Sequence, residues 1–273
     1  MSVLSDSPLG HAARYPDAYD PGLLYAVDRA SQRMLLGWGG ALPFGGVDLW
    51  TAYELSWLDR IGKPRVAIAT FSVPAESPRL VESKSVKLYL TGFNLTRFDS
   101  DSAVAEVLAR DLSAATGATV DVAMTPLDLE RAPALADFSG TCIDGLPMLA
   151  ADDNPAPDAL TAAGGVRHET LYTRLFRSVC PVTGQPDYAC VQVDYRGQAI
   201  DPAGLLRYLV SFRRHPGFHE HCVEQVFTDI WRRCGPERLS VYARFTRRGG
   251  IDINPYRSSD GGSPKFHVRT AQQ

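Results

Sequence analysis

The run Cys180-Pro181-Val182-Thr183-Gly184-Gln185-Pro186-Asp187 places a thiol and an acid across a short, turn-rich loop. A cysteine ahead of a proline in such a loop can be exposed, and a thiolate is the strongest common side-chain nucleophile. Across the loop, Asp187 can return to hydrogen-bond distance and act as proton donor or as base. On spacing alone, an inert, buried cysteine beside a turn-capping aspartate is the commoner arrangement.

A second cluster, Phe218-His219-Glu220-His221-Cys222, opens a helical pattern. Helix N-termini carry unpaired N–H groups and a positive dipole end, which suits polar ligand contacts. His221 and Cys222 are adjacent and point different ways on a helix, so a tetrahedral metal site is disfavoured and Cys222 reads as core. Simple capping and solvation is the plainer reading of His219-Glu220. A third segment, Val81-Glu82-Ser83-Lys84-Ser85-Val86-Lys87-Leu88-Tyr89, reads by alternation as a strand with charges along one edge. Late in the chain, Arg247-Arg248-Gly249-Gly250 fits a hairpin turn, or two arginines and a close backbone approach to phosphate.

Familiar motifs are absent. No G-x-G-x-x-G follows a strand, no Walker A lysine motif occurs, and His168-Glu169 lacks the second histidine of a zincin. The zinc deaminase pattern is missing too. With 28 Lys+Arg against 31 Asp+Glu, the net charge of -3 argues against gripping a phosphate backbone. No apolar run approaches the ~18 residues of a membrane helix, and the N-terminus has no basic segment followed by an apolar one. The five cysteines (142, 180, 190, 222 and 234) are odd in number and form no C-x-x-C pair. These features together predict reduced thiols in the cytoplasm.

These residues need elements to hold them. Val47, Leu49, Thr51, Tyr53, Leu55 and Trp57 alternate as a half-buried strand does, and so do Val86, Leu88 and Leu90. Val191, Val193 and Tyr195 predict another strand, and Leu239, Val241, Ala243 and Phe245 another. Asp101 is placed to cap a helix running to about Thr116, with Gly117 as its stop. A second helix is predicted from about His219 to Trp231. At an offset of 119 residues Val81 meets Ile200, Glu82 meets Asp201, Tyr89 meets Tyr208 and Phe93 meets Phe212. A period this long points to a duplicated domain rather than a solenoid. The expected organisation is a module over 1–144, a Pro-rich linker over 145–165, and a second module over 166–273, with an irregular arm over residues 1 to about 30. Strand–helix–strand halves with hairpin links predict an α+β fold with antiparallel sheet.

Taken together, these segments resemble the two-module subfamily of the NADPH-dependent nitrile reductases that act on 7-cyano-7-deazaguanine in queuosine biosynthesis. Glu82-Ser83-Lys84-Ser85-Val86-Lys87-Leu88-Tyr89 matches the family's E-S-K-S-x-K-L-Y signature, and Cys180 to Asp187 its nucleophile loop. Phe218-His219-Glu220 and Arg247-Arg248-Gly249-Gly250 match its substrate and cofactor segments. The second half has Ile200-Asp-Pro-Ala where the first has the signature, so the two halves divide the motifs. The resemblance implies tandem tunnelling-fold modules, with helices on one face of each sheet, and a homodimer that completes a barrel.

The same resemblance assigns roles. Cys180 attacks the nitrile carbon to form a covalent thioimide, and Asp187 donates a proton to the nitrile nitrogen. Glu82 and Glu220 read the donor edge of the guanine-like ring, with Val81, Ser83, Phe218 and His219 completing the substrate contacts. Ser83, Lys84, Arg248 and Gly249 hold NADPH. No metal, nucleic acid or membrane is implied, and the pocket is expected between modules. Two rivals stand beside this reading. A tunnelling-fold cyclohydrolase would contain stoichiometric zinc. A purine-binding regulatory module would not need the Cys180/Asp187 pair.

Overall fold

The computed structural model describes residues 15–127, 135–148, 153–265 and 269–273. Among these, two compact units divide the chain. One comprises 15–34, 48–127 and 247–252; the other comprises 35–47, the described part of 133–246, and 253 onward. Residues 1–14 of the expected N-terminal arm lie outside the described residues. From Tyr15 onward the arm forms a single 3-10 turn at Pro21–Leu23 and a short strand.

In the first unit, β1 (Ala26–Asp28) pairs antiparallel with β4 (Arg79–Val81), and α1 (Ala30–Leu35) follows β1. β2 (Gly45–Leu58) turns through Asp59–Lys63 into β3 (Pro64–Pro74), which pairs antiparallel with β5 (Asp121–Pro126). Two helices, α2 (Ser83–Thr91) and α3 (Asp101–Thr116), lie between β4 and β5 in sequence. In α3, Val104, Leu108 and Leu112 recur at i, i+4, i+8 and are buried, as an amphipathic helix requires. Its N-cap is Ser100 rather than Asp101: the Ser100 hydroxyl accepts the Ala103 N–H at 3.1 Å. Asp101 is instead the first helical residue, where a carboxylate favours the dipole. Gly117, at φ 76°, ends the helix as expected.

The segment after Val81 is a helix, not the strand its alternation predicts. The Glu82 carboxylate accepts the N–H groups of Lys84 and Ser85 at 2.6 and 2.8 Å, and the Ser85 hydroxyl donates to the Glu82 carbonyl at 2.6 Å. These bonds satisfy donors that a helix N-terminus otherwise leaves orphaned. Ser85, Val86, Leu88, Tyr89 and Leu90 are all buried, so α2 is covered on most sides. In so enclosed a helix, apolar residues at every second position say nothing about period.

In the second unit, β7 (Ala162–Val179) and β8 (Pro186–Ile200) form a long antiparallel hairpin. β9 (Arg238–Phe245) adds antiparallel to β8, and β10 (Ile251–Ser258) to β9. The two-residue β6 (Thr141–Cys142) runs parallel to β7. Helices α4 (Pro202–Val210) and α5 (His219–Cys234) supply Leu205, Leu209, Val223, Phe227 and Ile230 to one apolar core with Val191, Val193 and Val241 of the sheet. α5 continues a turn beyond Trp231 and stops at Gly235, φ 55°. Residues 145–165, expected as a linker, contain a 3-10 turn at Pro157–Ala159 and the start of β7. Leu160 is buried in the core, which holds that stretch to the unit.

With β1, α1 and β4 set aside in the first unit and β6 and β10 in the second, each unit repeats strand, strand, helix, helix, strand, in keeping with tandem tunnelling-fold modules in an α+β chain. Internal bonding repeats as well. Asp201 caps α4 through Ala203 and Gly204 just as Glu82 caps α2. The Tyr89 hydroxyl donates to Asp111 at 2.8 Å in one unit, and the Tyr208 hydroxyl to Asp229 at 2.6 Å in the other. Tyr89 meets Phe93 edge-on at 5.1 Å; Tyr208 meets Phe212 likewise at 5.4 Å. The offset seen in the sequence is therefore a repeated structural joint between paired helices.

Candidate active site

Cys180 leaves the end of β7, and the loop it opens is closed by two bonds. The Cys180 N–H donates to the Gln185 carbonyl at 2.8 Å, and the Gly184 N–H to the Cys180 carbonyl at 3.0 Å. Gly184 sits at φ 67°, a left-handed turn that glycine adopts without strain. Asp187 lies in β8 opposite Ser178, two residues before the thiol. The spacing suggests an exposed loop cysteine; the structure instead buries Cys180 to 4 % and Asp187 to 3 %. Burial follows from the chain that returns beside β7: the Val179 N–H donates to the His215 carbonyl, and the Gly217 N–H to the Val179 carbonyl.

That return path sets Phe218 and His219 at the start of α5 against the hairpin. Phe218 is the N-cap residue and supplies no side-chain cap, so it is free to serve as a wall. The His219 ring stacks on Phe245 at 3.8 Å with the planes 2° apart, which fixes its orientation. Its Nε2 lies 3.5 Å from Asp187 Oδ2, with the two side chains 11 % and 3 % exposed. Glu220, in the first turn of α5, is buried at 3 %. Cys222 is core, as its place in the sequence suggests. Its thiol is pushed up to about 12, chiefly by burial, with the charges of Asp187 and Glu220 adding to the rise. Two carboxylates, an oriented imidazole and a thiol-bearing loop therefore converge within the second unit.

The rings of His215 and of His221 in the first turn of α5 lie 6.3 Å apart. Burial pushes His215 down to about 4, with a smaller contribution from His221. Burial also lowers His221. Both imidazoles are held neutral at ordinary pH.

A separate cleft of about 290 Å³ belongs to the first unit. Lys84 and Lys87 of α2, Asn94, Glu54 of β2 and the Gly249-Gly250 turn line it. Lys84 and Lys87 are three apart on a helix and so share a face. A Cβ on Gly249 would lie 3.2 Å from Lys87 Cδ, and one on Gly250 would lie 2.6 Å from the Glu54 carboxyl carbon. Both glycines have positive φ, 58° and 75°. The turn therefore brings bare backbone and two ammonium groups to one hollow.

Of the residues singled out by sequence, the second unit brings together Cys180, Asp187, Phe218, His219 and Glu220. The first unit holds Val81, Glu82, Ser83, Lys84, Arg248 and Gly249. Lys84 and Gly249 share the cleft; Ser83 and Arg248 are not among its lining residues. Val81 is buried as the last residue of β4, and Glu82 is buried as the helix cap. The sequence reading did not select Lys87, Glu54 or Asn94 for this cleft. Lys87 was legible in the i, i+3 spacing once α2 is known to be a helix; Glu54 and Asn94 carry no local signal.

A family model described as nitrile reductase, 7-cyano-7-deazaguanine-reductase N-term, matches residues 15–124, and one described as QueF-like protein matches 186–263. A curated protein of Bordetella pertussis named NADPH-dependent 7-cyano-7-deazaguanine reductase is 55 % identical over 99 % of both chains. Proteins of the same name from Chromobacterium violaceum and Burkholderia pseudomallei are 51 % and 52 % identical, each over 98 % of this chain and 96 % and 98 % of their own. The chain belongs to the NADPH-dependent 7-cyano-7-deazaguanine reductase family. In this reductase family member, the N-terminal match contains the α2 lysines, and the second match begins one residue before Asp187. A solved archaeosine synthase QueF-Like in the apo form aligns loosely, with 18 % identity over 37 % of this chain and 99 % of that one, at a TM-score of 0.31.

Proposed function

We propose that the chain reduces the nitrile of 7-cyano-7-deazaguanine to the aminomethyl group through a covalent thioimide on Cys180, as a step of queuosine biosynthesis. As a family member it is an oxidoreductase, a nitrile reductase that depends on NADPH. The observation that carries the mechanism is the buried Asp187–His219 contact at the base of the Cys180 loop.

The residues divide the work as follows. The Cys180 sulfur bonds to the nitrile carbon as one C–N π bond breaks. The thiol proton passes to Asp187 and from it to the nitrile nitrogen, which leaves a thioimide. NADPH, when bound, supplies hydride twice, once to this carbon and once to the imine that follows. Between the two, the C–S bond breaks and its electrons return to Cys180. His219, oriented by Phe245 and in contact with Asp187, relays the further protons the nitrogen takes up. Glu220 accepts the ring N–H and exocyclic NH₂ of the deazaguanine, Phe218 covers a ring face, and Glu82, Val81 and Ser83 complete substrate recognition. Burial strengthens each of these polar contacts.

The first-unit cleft fits NADPH by its donors. Lys84 and Lys87 suit phosphate, and the Gly249-Gly250 turn lets backbone approach where a side chain would collide. Ser83 and Arg248, next in sequence to Lys84 and Gly249 but outside the cleft lining, contact the cofactor from its margin. The five cysteines are all free thiols, which supports a reducing, cytoplasmic setting. Among the described residues no helix is long and apolar enough to cross a membrane. The resemblance adds a homodimer and no direct nucleic-acid partner. The reaction is tested by mixing protein, 7-cyano-7-deazaguanine and NADPH and following loss of NADPH absorbance. Two cofactors consumed per substrate support the reading; no substrate-dependent loss overturns it.

A further inference from the structure

The N-terminal arm reaches the cleft of the first unit, where Tyr15 joins Lys84, Lys87 and Glu54 in the lining. From Tyr19 to Tyr25 the arm is tied down along α2 and α3. The Tyr19 N–H donates to Thr96 Oγ1 at 3.1 Å, and its hydroxyl donates to Asp111 at 2.5 Å while accepting from Arg110 at 2.7 Å. Burial and the Asp111 carboxylate push the Tyr19 hydroxyl up to about 12, so it stays a donor. Gly92 admits the arm: a Cβ there would lie 2.6 Å from the Ala18 carbonyl oxygen. Further on, the Tyr25 N–H donates to the Ser85 hydroxyl at 3.0 Å, and the Glu82 N–H to the Tyr25 carbonyl at 2.8 Å.

These anchors fix the arm without help from Tyr15. Yet Tyr15, four residues before the Tyr19 anchor, lies at the cleft with Lys84, Lys87, Asn94 and Gly249. Its side chain is 70 % exposed. A large aromatic residue left in water beside two ammonium groups gains little by packing, and it presents a flat apolar face to whatever the cleft holds.

We infer that Tyr15 is a cofactor-contacting residue: its ring stacks on the adenine of NADPH while Lys84 and Lys87 hold phosphate of the same adenosine half. The inference rests on the proposed NADPH site and deepens it. Two of the three phosphates of NADPH belong to the adenosine half, so paired lysines mark that end. A base stacks on tyrosine whatever its edge presents, which needs only an exposed ring at the correct distance from the phosphate groups. The arm then serves as a strap whose anchored part, Tyr19 to Tyr25, sets where the ring stands.

The test measures binding of NADPH and of adenosine 2′,5′-bisphosphate to the full chain by calorimetry, for Tyr15→Ala, Tyr15→Phe and Lys84→Ala. Tyr15→Ala is expected to weaken both ligands about tenfold, the order of one lost base–aromatic stack. Tyr15→Phe should restore both, because the hydroxyl takes no part. In turnover, Tyr15→Ala should raise KM for NADPH by the same factor with kcat at saturation near wild type. If Tyr15→Ala binds both ligands as wild type does while Lys84→Ala weakens them, the stacking inference is overturned and the cofactor cleft stands. If neither substitution changes binding, the cleft itself is not the NADPH site and both readings go. If Tyr15→Ala weakens NADPH but not the bisphosphate, the ring meets the nicotinamide half and the adenine assignment is wrong.

Discussion

Asp187 Oδ2 lies 3.5 Å from His219 Nε2, and both side chains are nearly closed to solvent. The contact sets a carboxyl group and an imidazole side by side where solvent hardly reaches. The stack on Phe245 prevents the ring from turning away. The pair thus stands in fixed geometry beside the loop that carries Cys180.

If Asp187 delivers the proton to nitrile nitrogen, Asp187→Asn removes the delivery but keeps the shape. We expect kcat to fall about a hundredfold or more, the usual span for loss of a general acid. The Kd for 7-cyano-7-deazaguanine, measured by calorimetry without NADPH, should stay near wild type. A variant with full kcat and weakened substrate affinity would move Asp187 from chemistry to binding.

Glu82 and Asp201 hold the same place in the two units, each capping the first of two helices. Replacing either by alanine should cost about 1 kcal/mol of stability in urea unfolding, the typical worth of an N-cap. They differ in function. Asp201→Ala should keep the substrate affinity of the parent protein, whereas Glu82→Ala should also lose deazaguanine binding. Equal effects of the two on substrate affinity would leave Glu82 a cap and nothing more.

His215 and His221 give stability a pH dependence. Burial depresses His215 from 6.5 to about 4 in the folded chain and lowers His221. Between those values the unfolded chain binds more protons than the folded one, so stability rises with pH there. The His215 contribution is fully present above pH 6.5 and is lost as pH falls toward 4, and His221 acts in the same direction. Urea midpoints taken at several pH values should decline on acidification. His215→Gln should flatten that decline. A variant with the same slope as wild type would show that His215 is not its source.

Much of the fold around these residues could be read from residue order, and the failures come where burial hides the local pattern. α3 and α5 were legible because each buries one stripe and ends at a left-handed glycine, so period and stop signal agree. The duplication was legible because Tyr89 and Tyr208 each need a buried partner at the same joint, which keeps the residue types in step. α2 was not legible. Its cap is a glutamate, which is not among the usual capping residues, and its burial on most sides hides the 3.6 period. On a strand Lys84 and Lys87 would face opposite ways; the helix is what turns both toward one hollow. Cys180 was legible as a loop residue, but its burial depends on the distant chain at His215–Gly217 zipping onto Val179, which no local pattern announces.

The most direct test of the central claim is intact-protein mass spectrometry after mixing with 7-cyano-7-deazaguanine in the absence of NADPH. Wild-type protein should gain the mass of one substrate, lose it again when NADPH is added, and map the adduct to the peptide containing Cys180. Cys180→Ala should gain nothing. An adduct of the same mass on Cys180→Ala, or turnover by that variant, would contradict the thioimide and with it the role given to this sulfur.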